Sequence, residues 1–130
     1  MAKLSAHIGK EHYYTQIDTE TNEIIADEPI DNGGQDKGFT PSELLASALA
    51  ACTSITLRMY ADRKTWPLDE VNVAVNFERD AESNTSSIKR TIELTGELTE
   101  EQKARLMQIA DQCPIHKTLS NPITIETTGI

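Results

Sequence analysis

Two cysteines, Cys52 and Cys113, are the residues of this chain whose type is most reactive. A thiolate is a nucleophile, a reductant and a metal ligand, and a second thiol can close a disulfide with a first one that has been oxidised. Cys52 sits in a run of small and apolar residues. Cys113 precedes Pro114, where a new helical turn is expected. The free amides of that turn, and His116 one turn on, would favour its thiolate. Two buried cysteines packing as small hydrophobes account for the same residues equally well. Glu43 has a plain explanation as the third residue of a helix cap. It stands nine residues before Cys52 (43 to 52), which on a straight helix is about 13 Å along the axis and on the opposite face. If Glu43 acts with Cys52, it therefore comes from a second copy of the chain. Cys113-x-x-His116 supplies two metal ligands at most. Cys52, His7 or His12 would have to complete a zinc site, and none has a diagnostic spacing. No Ser-His-Asp or paired-carboxylate pattern stands out.

The elements that position these residues can be read in order. Thr40-Pro41-Ser42-Glu43 is a helix start, with an N-cap, a first-turn proline and a capping box. Strong helix formers continue to about Tyr60 without Gly or Pro. Leu45, Leu49, Cys52 and Thr56 share a face by their spacing. So apolar a helix is expected to be buried, the central helix of a soluble domain with one thiol deep inside. Its length matches a bilayer span, but Glu43 at one end and Arg58, Asp62, Arg63 and Lys64 at the other leave too short an apolar core. Ala46, Ser47, Ala48, Ala50 and Ala51 would let a second helix approach closely, either within the subunit or across a dimer.

Before that helix, alternation and β-prone residues predict strands at Lys3 to Gly9, Tyr13 to Ile17 and Glu23 to Ala26. Glu28 to Phe39, with Gly33, Gly34 and Gly38, reads as a flexible connection into the helix. After it, Val71, Val73, Val75 and Phe77 alternate with polar residues, and Ile88, Arg90, Ile92 and Leu94 share a face on the return strand. Arg90 is expected near that strand's open end, and Ala81 to Ser87 as a loop longer than a tight turn. Thr99 to Gln102 is a second capping box. Leu106, Ile109, Ala110 and Cys113 keep helical spacing, Pro114 to Leu119 makes a short turn, and Ile123 and Ile125 are expected in a closing strand. The order β-β-β-α-β-β-α-α-β is an α+β domain, a mostly antiparallel sheet with helices on one side.

Composition narrows the partners. A length of 130 residues suits one domain, residues 1–130. Lys and Arg number 12 against 21 Asp and Glu, for a net charge of -9. That argues against nucleic acid, whose phosphates need a basic surface. The first residues alternate rather than forming an apolar block, so no secretory leader or membrane anchor is expected. A cysteine pair in such a chain points to a reducing, cytoplasmic compartment.

Thr40-Pro41-Ser42-Glu43-Leu44-Leu45-Ala46-Ser47-Ala48-Leu49-Ala50-Ala51-Cys52-Thr53, with Cys113-Pro114-Ile115-His116-Lys117-Thr118-Leu119 much later in the chain, resembles the OsmC/Ohr family of osmotically induced and organic hydroperoxide resistance proteins. The order of strands and helices agrees over nearly the whole chain. The resemblance implies an intertwined homodimer with active sites at the interface, reducing organic hydroperoxides and, less well, hydrogen peroxide. It makes Cys52 the peroxidatic residue, oxidised to a sulfenic acid, and Cys113 the resolving one. A dithiol, such as that of a lipoylated protein, would reduce the disulfide, with no metal or organic cofactor. Two positions depart from the best-studied members. Ser42 stands where they carry a catalytic Glu, and Glu43 comes next, where another branch has its Glu. Those members also carry an activating Arg in the N-terminal strands, whereas no Arg here precedes Arg58; Lys10 or Lys37 would be the substitutes, without the forked geometry of Arg. A competing function is a non-enzymatic dimer of the same fold that binds a small apolar ligand or senses oxidants.

Overall fold

The computed structural model describes residues 2–130. The chain groups into two compact units, Met1–Leu45 and Ala46–Ile130. The first holds an antiparallel meander of β1 (Ser5–Ile8), β2 (Thr15–Asp18) and β3 (Glu23–Ala26). Its register pairs Ser5 with Asp18 and Thr15 with Ala26.

The residue after β3, Asp27, organises the segment that leads to the long helix. Its side chain is buried, with 2% of the residue exposed. Its carboxylate accepts from the amides of Tyr13 (3.0 Å), Glu28 (2.7 Å), Gln35 (3.3 Å) and Lys37 (3.1 Å). Residues 28–39 are therefore not the flexible connection expected. They wrap a buried anion, with a 3-10 turn at Ile30–Asn32. Gly34 is required here, since a Cβ would collide with the Glu28 carbonyl oxygen. Sequence composition marked the glycines but not the acid they surround.

The long helix α1 (Pro41–Lys64) begins with the expected box. Thr40 N donates to Glu43 Oε1 at 2.8 Å, and Glu43 N to Thr40 Oγ1 at 3.2 Å. By length and composition α1 could cross a bilayer, but it packs as a core helix. Its buried stripe is Leu49, Thr53, Leu57 and Ala61. Leu45, Ile55 and Met59 are left exposed. Cys52 lies beside the stripe, half-buried, so the thiol sealed from solvent is not this one but Cys113.

The second unit continues with β4 (Glu70–Asp80) and β5 (Thr85–Thr95), paired from Glu70↔Thr95 to Asp80↔Thr85. The strands extend further than their apolar pattern, so the loop shrinks to residues 81–84. Asp80 accepts from the Glu82 amide at 3.0 Å, and Asn84 takes a left-handed φ of 55°, which Asn tolerates. Gly96, at φ 122°, comes directly after β5, where any Cβ would strike the Pro67 carbonyl. α2 (Glu100–Ala110) starts with the predicted box of Thr99 and Gln102, and α3 (Pro114–Leu119) has Cys113 as its N-cap. The expected closing strand is not formed. Ile123 and Ile125 are 59% and 83% exposed, and no described strand pairs with them. An isolated strand leaves its backbone groups unpaired, so alternation alone does not make one.

The core of this unit is Leu57, Ala61, Leu68, Leu98, Leu106, Ile109 and Ala110, with Trp66, Val71, Ile92 and Leu94 packed against it. Leu106 is fully buried. Leu106→Ala is therefore expected to cost about 2–5 kcal/mol in urea unfolding; a loss under about 1 kcal/mol would show that this core is not closely packed. For Asp27 the sign is worked from its titration. Burial opposes its charge, but the four amide donors more than offset that and hold the carboxyl below its ordinary 3.8. The stabilisation is thus present above the unfolded value and is lost as pH falls through the lower folded value. Asp27→Ala should expose residues 28–39 to limited proteolysis at neutral pH, and its difference from wild type should shrink toward strongly acidic pH. A loop equally resistant in the variant would remove Asp27 from this role.

Candidate functional site

Cys52 and Cys113 come from different elements of the second unit. Cys52 is on α1, and Cys113 lies in the corner where α2 ends and α3 begins. The corner is built locally. The Cys113 amide donates to the Ala110 carbonyl at 3.4 Å, Pro114 starts α3, and the Lys117 amide returns to the Cys113 carbonyl at 3.1 Å. Pro114 has no N–H, so the amide of Ile115 is the first available donor of the new turn.

The two thiols meet, and their environments oppose each other. At Cys52, burial disfavours the thiolate. Hydrogen bonds from the Cys113 thiol, the Ile115 amide and the Thr56 hydroxyl outweigh it and bring the Cys52 thiol below its ordinary range. At Cys113, burial and the adjacent Cys52 sulfur push the thiol up, against the amides of His116 and Ile115. Cys113 has no exposed surface, whereas Cys52 is part-open. The arrangement holds a part-open thiol whose pKa is lowered beside a sealed thiol whose pKa is raised. The amides of the helix start that were expected to favour a Cys113 thiolate do lower it, but burial and the neighbouring Cys52 sulfur outweigh them.

Among the described residues no cation is one of the groups acting on Cys52. Lys37 pairs with Glu11 at 3.5 Å and lies 5.7 Å over the Tyr14 ring. Lys10 is exposed. Glu43 is exposed, and its carboxyl is held low by the Thr40 amide and hydroxyl. Its visible work is the helix cap, and the continuous helix keeps it nine residues from Cys52. His116 is in the corner, with Nδ1 4.0 Å from Asp111 Oδ1. Among the described residues no three His, Cys, Asp or Glu side chains converge as a metal site would require.

Two residues of the site escaped the sequence reading. Arg90 points inward from β5, its side chain 12% exposed. It donates to Thr53 Oγ1 (3.0 Å), the Ala110 carbonyl (3.3 Å) and Asp111 Oδ1 (2.8 Å). It is not at an open strand end. Thr53 is fully buried and satisfied twice, donating to the Leu49 carbonyl at 2.7 Å and accepting from Arg90. The signal was available: a cation at an inward position of the Ile88, Arg90, Ile92, Leu94 face needs a polar partner.

The comparisons with known proteins bear on the fold and the family. No curated protein matches the chain in sequence. A Psychrobacter arcticus 273-4 protein named for an osmotic stress and detoxification response has a similar structure, with a TM-score of 0.78 and 25% identity over 91% of this chain and 88% of that one. An OsmC-like protein from Mycoplasma pneumoniae gives a TM-score of 0.79 at 22% identity, covering 91% and 86%. The organic hydroperoxide resistance protein OhrB of Bacillus subtilis gives 0.62 at 24% identity, covering 91% and 89%. The α+β architecture, with its antiparallel sheets and long helix, is the one these proteins share. Residues 34–128 match the family described as OsmC-like protein, and the chain, with its cysteine on the long helix and its second cysteine at the α2–α3 corner, belongs to that family.

Proposed function

We propose that the protein is a thiol-dependent peroxidase that reduces organic hydroperoxides, and hydrogen peroxide less well, in oxidative or osmotic stress defence. Its two units are parts of one OsmC-like domain, working as a cytoplasmic homodimer. The observation that carries this reading is the contact between a part-open Cys52 of lowered pKa and a sealed, protonated Cys113. Organic hydroperoxide resistance in the name of a protein with the same fold supports the substrate class.

The chemistry rests on the two thiols. The Cys52 thiolate attacks the terminal oxygen of the hydroperoxide, the O–O bond breaks, and the alkoxide leaves. Cys52 becomes a sulfenic acid, oxidised by two electrons, and the peroxide is reduced to an alcohol. The proton the alkoxide needs is at hand on Cys113, whose thiol already donates toward Cys52. Losing it makes Cys113 a thiolate. That thiolate attacks the Cys52 sulfur, hydroxide leaves and is protonated to water, and a Cys52–Cys113 disulfide closes. A dithiol reductant, of the kind carried by a lipoylated protein, returns both thiols by exchange. No step requires a metal or an organic cofactor.

The exposed Leu45, Ile55 and Met59 of α1 support a second copy as the partner. In such a dimer Glu43 of one subunit would serve Cys52 of the other, since within one helix the two face opposite ways.

The deciding experiment is intact mass of the reduced protein after a small excess of cumene hydroperoxide. Wild type should lose two hydrogens quickly. Cys113→Ser should stop at a trappable sulfenic acid, and Cys52→Ser should not react. An unchanged wild-type mass over many minutes would refute the peroxidase and turn attention to a ligand-binding dimer. The pH dependence has a definite sign. Only the thiolate attacks, so oxidation should speed up as pH rises, with its midpoint shifted downward from that of an unperturbed thiol. Cys113→Ala removes a donor to the thiolate, so its midpoint should move up; a midpoint unmoved or lowered would count against the hydrogen bond as the activator.

A further inference from the structure

Arg90 is a charge placed where packing does not ask for one. Its neighbours on the inward face of β5 are Ile88, Ile92 and Leu94, and an apolar side chain of similar volume would complete that face. Withdrawing a guanidinium from water is costly, and exchanging buried ion pairs for apolar residues is often neutral or stabilising. What Arg90 does that an apolar residue could not is join elements that carry different cysteines. Thr53, its partner on α1, is the residue after Cys52. The Ala110 carbonyl, its partner at the end of α2, also accepts the Cys113 amide at 3.4 Å. Asp111, its third partner, lies two residues before Cys113, and the same Oδ1 is 4.0 Å from His116 Nδ1 on α3. The contacts are short and directional, and a forked donor is needed to make all three at once; Lys has a single ammonium.

We infer that Arg90 is a positioning residue for the thiol pair, clamping α1 at Thr53 to the α2–α3 corner at Ala110 and Asp111 so that the Cys113 thiol and the Ile115 amide stay against Cys52. The inference rests on Cys52 and Cys113 being the reacting pair. Arg90 does not act on the sulfur as a nearby charge, because the groups that set the Cys52 thiol are burial, Cys113, Ile115 and Thr56. Its effect is on where those donors sit. The exposed side of the clamp, Asp111, is 62% open at its side chain and can be cut without opening the core.

The test has one arm without peroxide and one with it. In the first, the pH dependence of Cys52 alkylation by iodoacetamide is read on the reduced full chain by peptide mass. Arg90→Met should move the midpoint upward, Arg90→Lys should move it the same way by less, and a destabilised control that removes none of the clamp's hydrogen bonds, Leu68→Ala, should leave it in place. In the second, cumene hydroperoxide oxidises each protein. Disulfide closure in Arg90→Met should slow on the order of tenfold to a hundredfold relative to sulfenic acid formation, as expected for displaced reacting groups. If Arg90→Met does not fold, Arg90→Lys and Asp111→Ala carry the same comparison. Unmoved midpoints and unchanged closure in the folded variants would overturn the clamp. So would an equal shift in Leu68→Ala, which would assign the effect to general loosening. A wild type inert to peroxide would refute the peroxidase reading alone, and the alkylation arm would still decide the role of Arg90.

Discussion

Two sulfurs in unlike surroundings share one contact. On the proposed chemistry Cys52 must be open enough to be reached and must ionise, and Cys113 must stay sealed and protonated until it is needed. Burial by itself pushes both thiols up, so the difference between them has to come from donors. The Cys113 thiol, the Ile115 amide and the Thr56 hydroxyl are aimed at one sulfur. The proline after Cys113 contributes indirectly: lacking an N–H, it leaves Ile115 to present the first amide of α3. The contact is made between α1, which carries Cys52, and the corner between α2 and α3, which carries Cys113.

The first unit rests on a comparable device with a different purpose. Asp27 is a buried anion answered by four backbone amides, and the glycine-rich segment is shaped around it. Nothing reactive is gained there; the carboxylate replaces the hydrogen-bonded regularity that residues 28–39 lack. In both units a charge or incipient charge is held by uncharged donors, four backbone amides at Asp27 and one amide, a thiol and a hydroxyl at Cys52, rather than by a paired cation. That fits a chain with 21 acidic and 12 basic residues, in which cations are scarce.

What the sequence made legible was local and periodic. β3 was read to its end residues, both capping boxes were visible in four letters each, and the spacing of Leu106, Ile109, Ala110 and Cys113 found the buried face of α2. The cysteine pair was legible by type. What was not legible depends on partners distant in sequence. Alternation at Ile123 and Ile125 suggested a strand, but a strand exists only where another backbone pairs with it. Asp27 looked like one of many loop acids, and only the convergence of amides from residues 13, 28, 35 and 37 makes it central. Cys52 was expected deep inside, but the buried stripe of α1 runs through Thr53 and leaves Cys52 half-buried; Cys113 faces the core as its spacing suggested. Arg90 was recognised as sharing an apolar face and then placed at the strand end, although an inward charge is itself a sign of a partner.

Among the described residues of one chain, no cation is among the groups that lower the Cys52 thiol, and this has a chemical consequence beyond economy. A fixed Arg would lower the thiol whatever the state of Cys113. Here one of the donors is the second thiol, so the ease with which Cys52 ionises depends on Cys113 being reduced. On the proposed chemistry, the proton that Cys113 shares with the thiolate is the one the departing alkoxide requires, and giving it up is what arms Cys113 for the next step. Activation, proton supply and resolution then fall to one group, and any modification that blocks the Cys113 sulfur withdraws all three together. Such an arrangement works only if the distance between the two sulfurs is kept by something other than the sulfurs. A buried guanidinium that bonds the residue after one cysteine and two residues just before the other is placed to keep it.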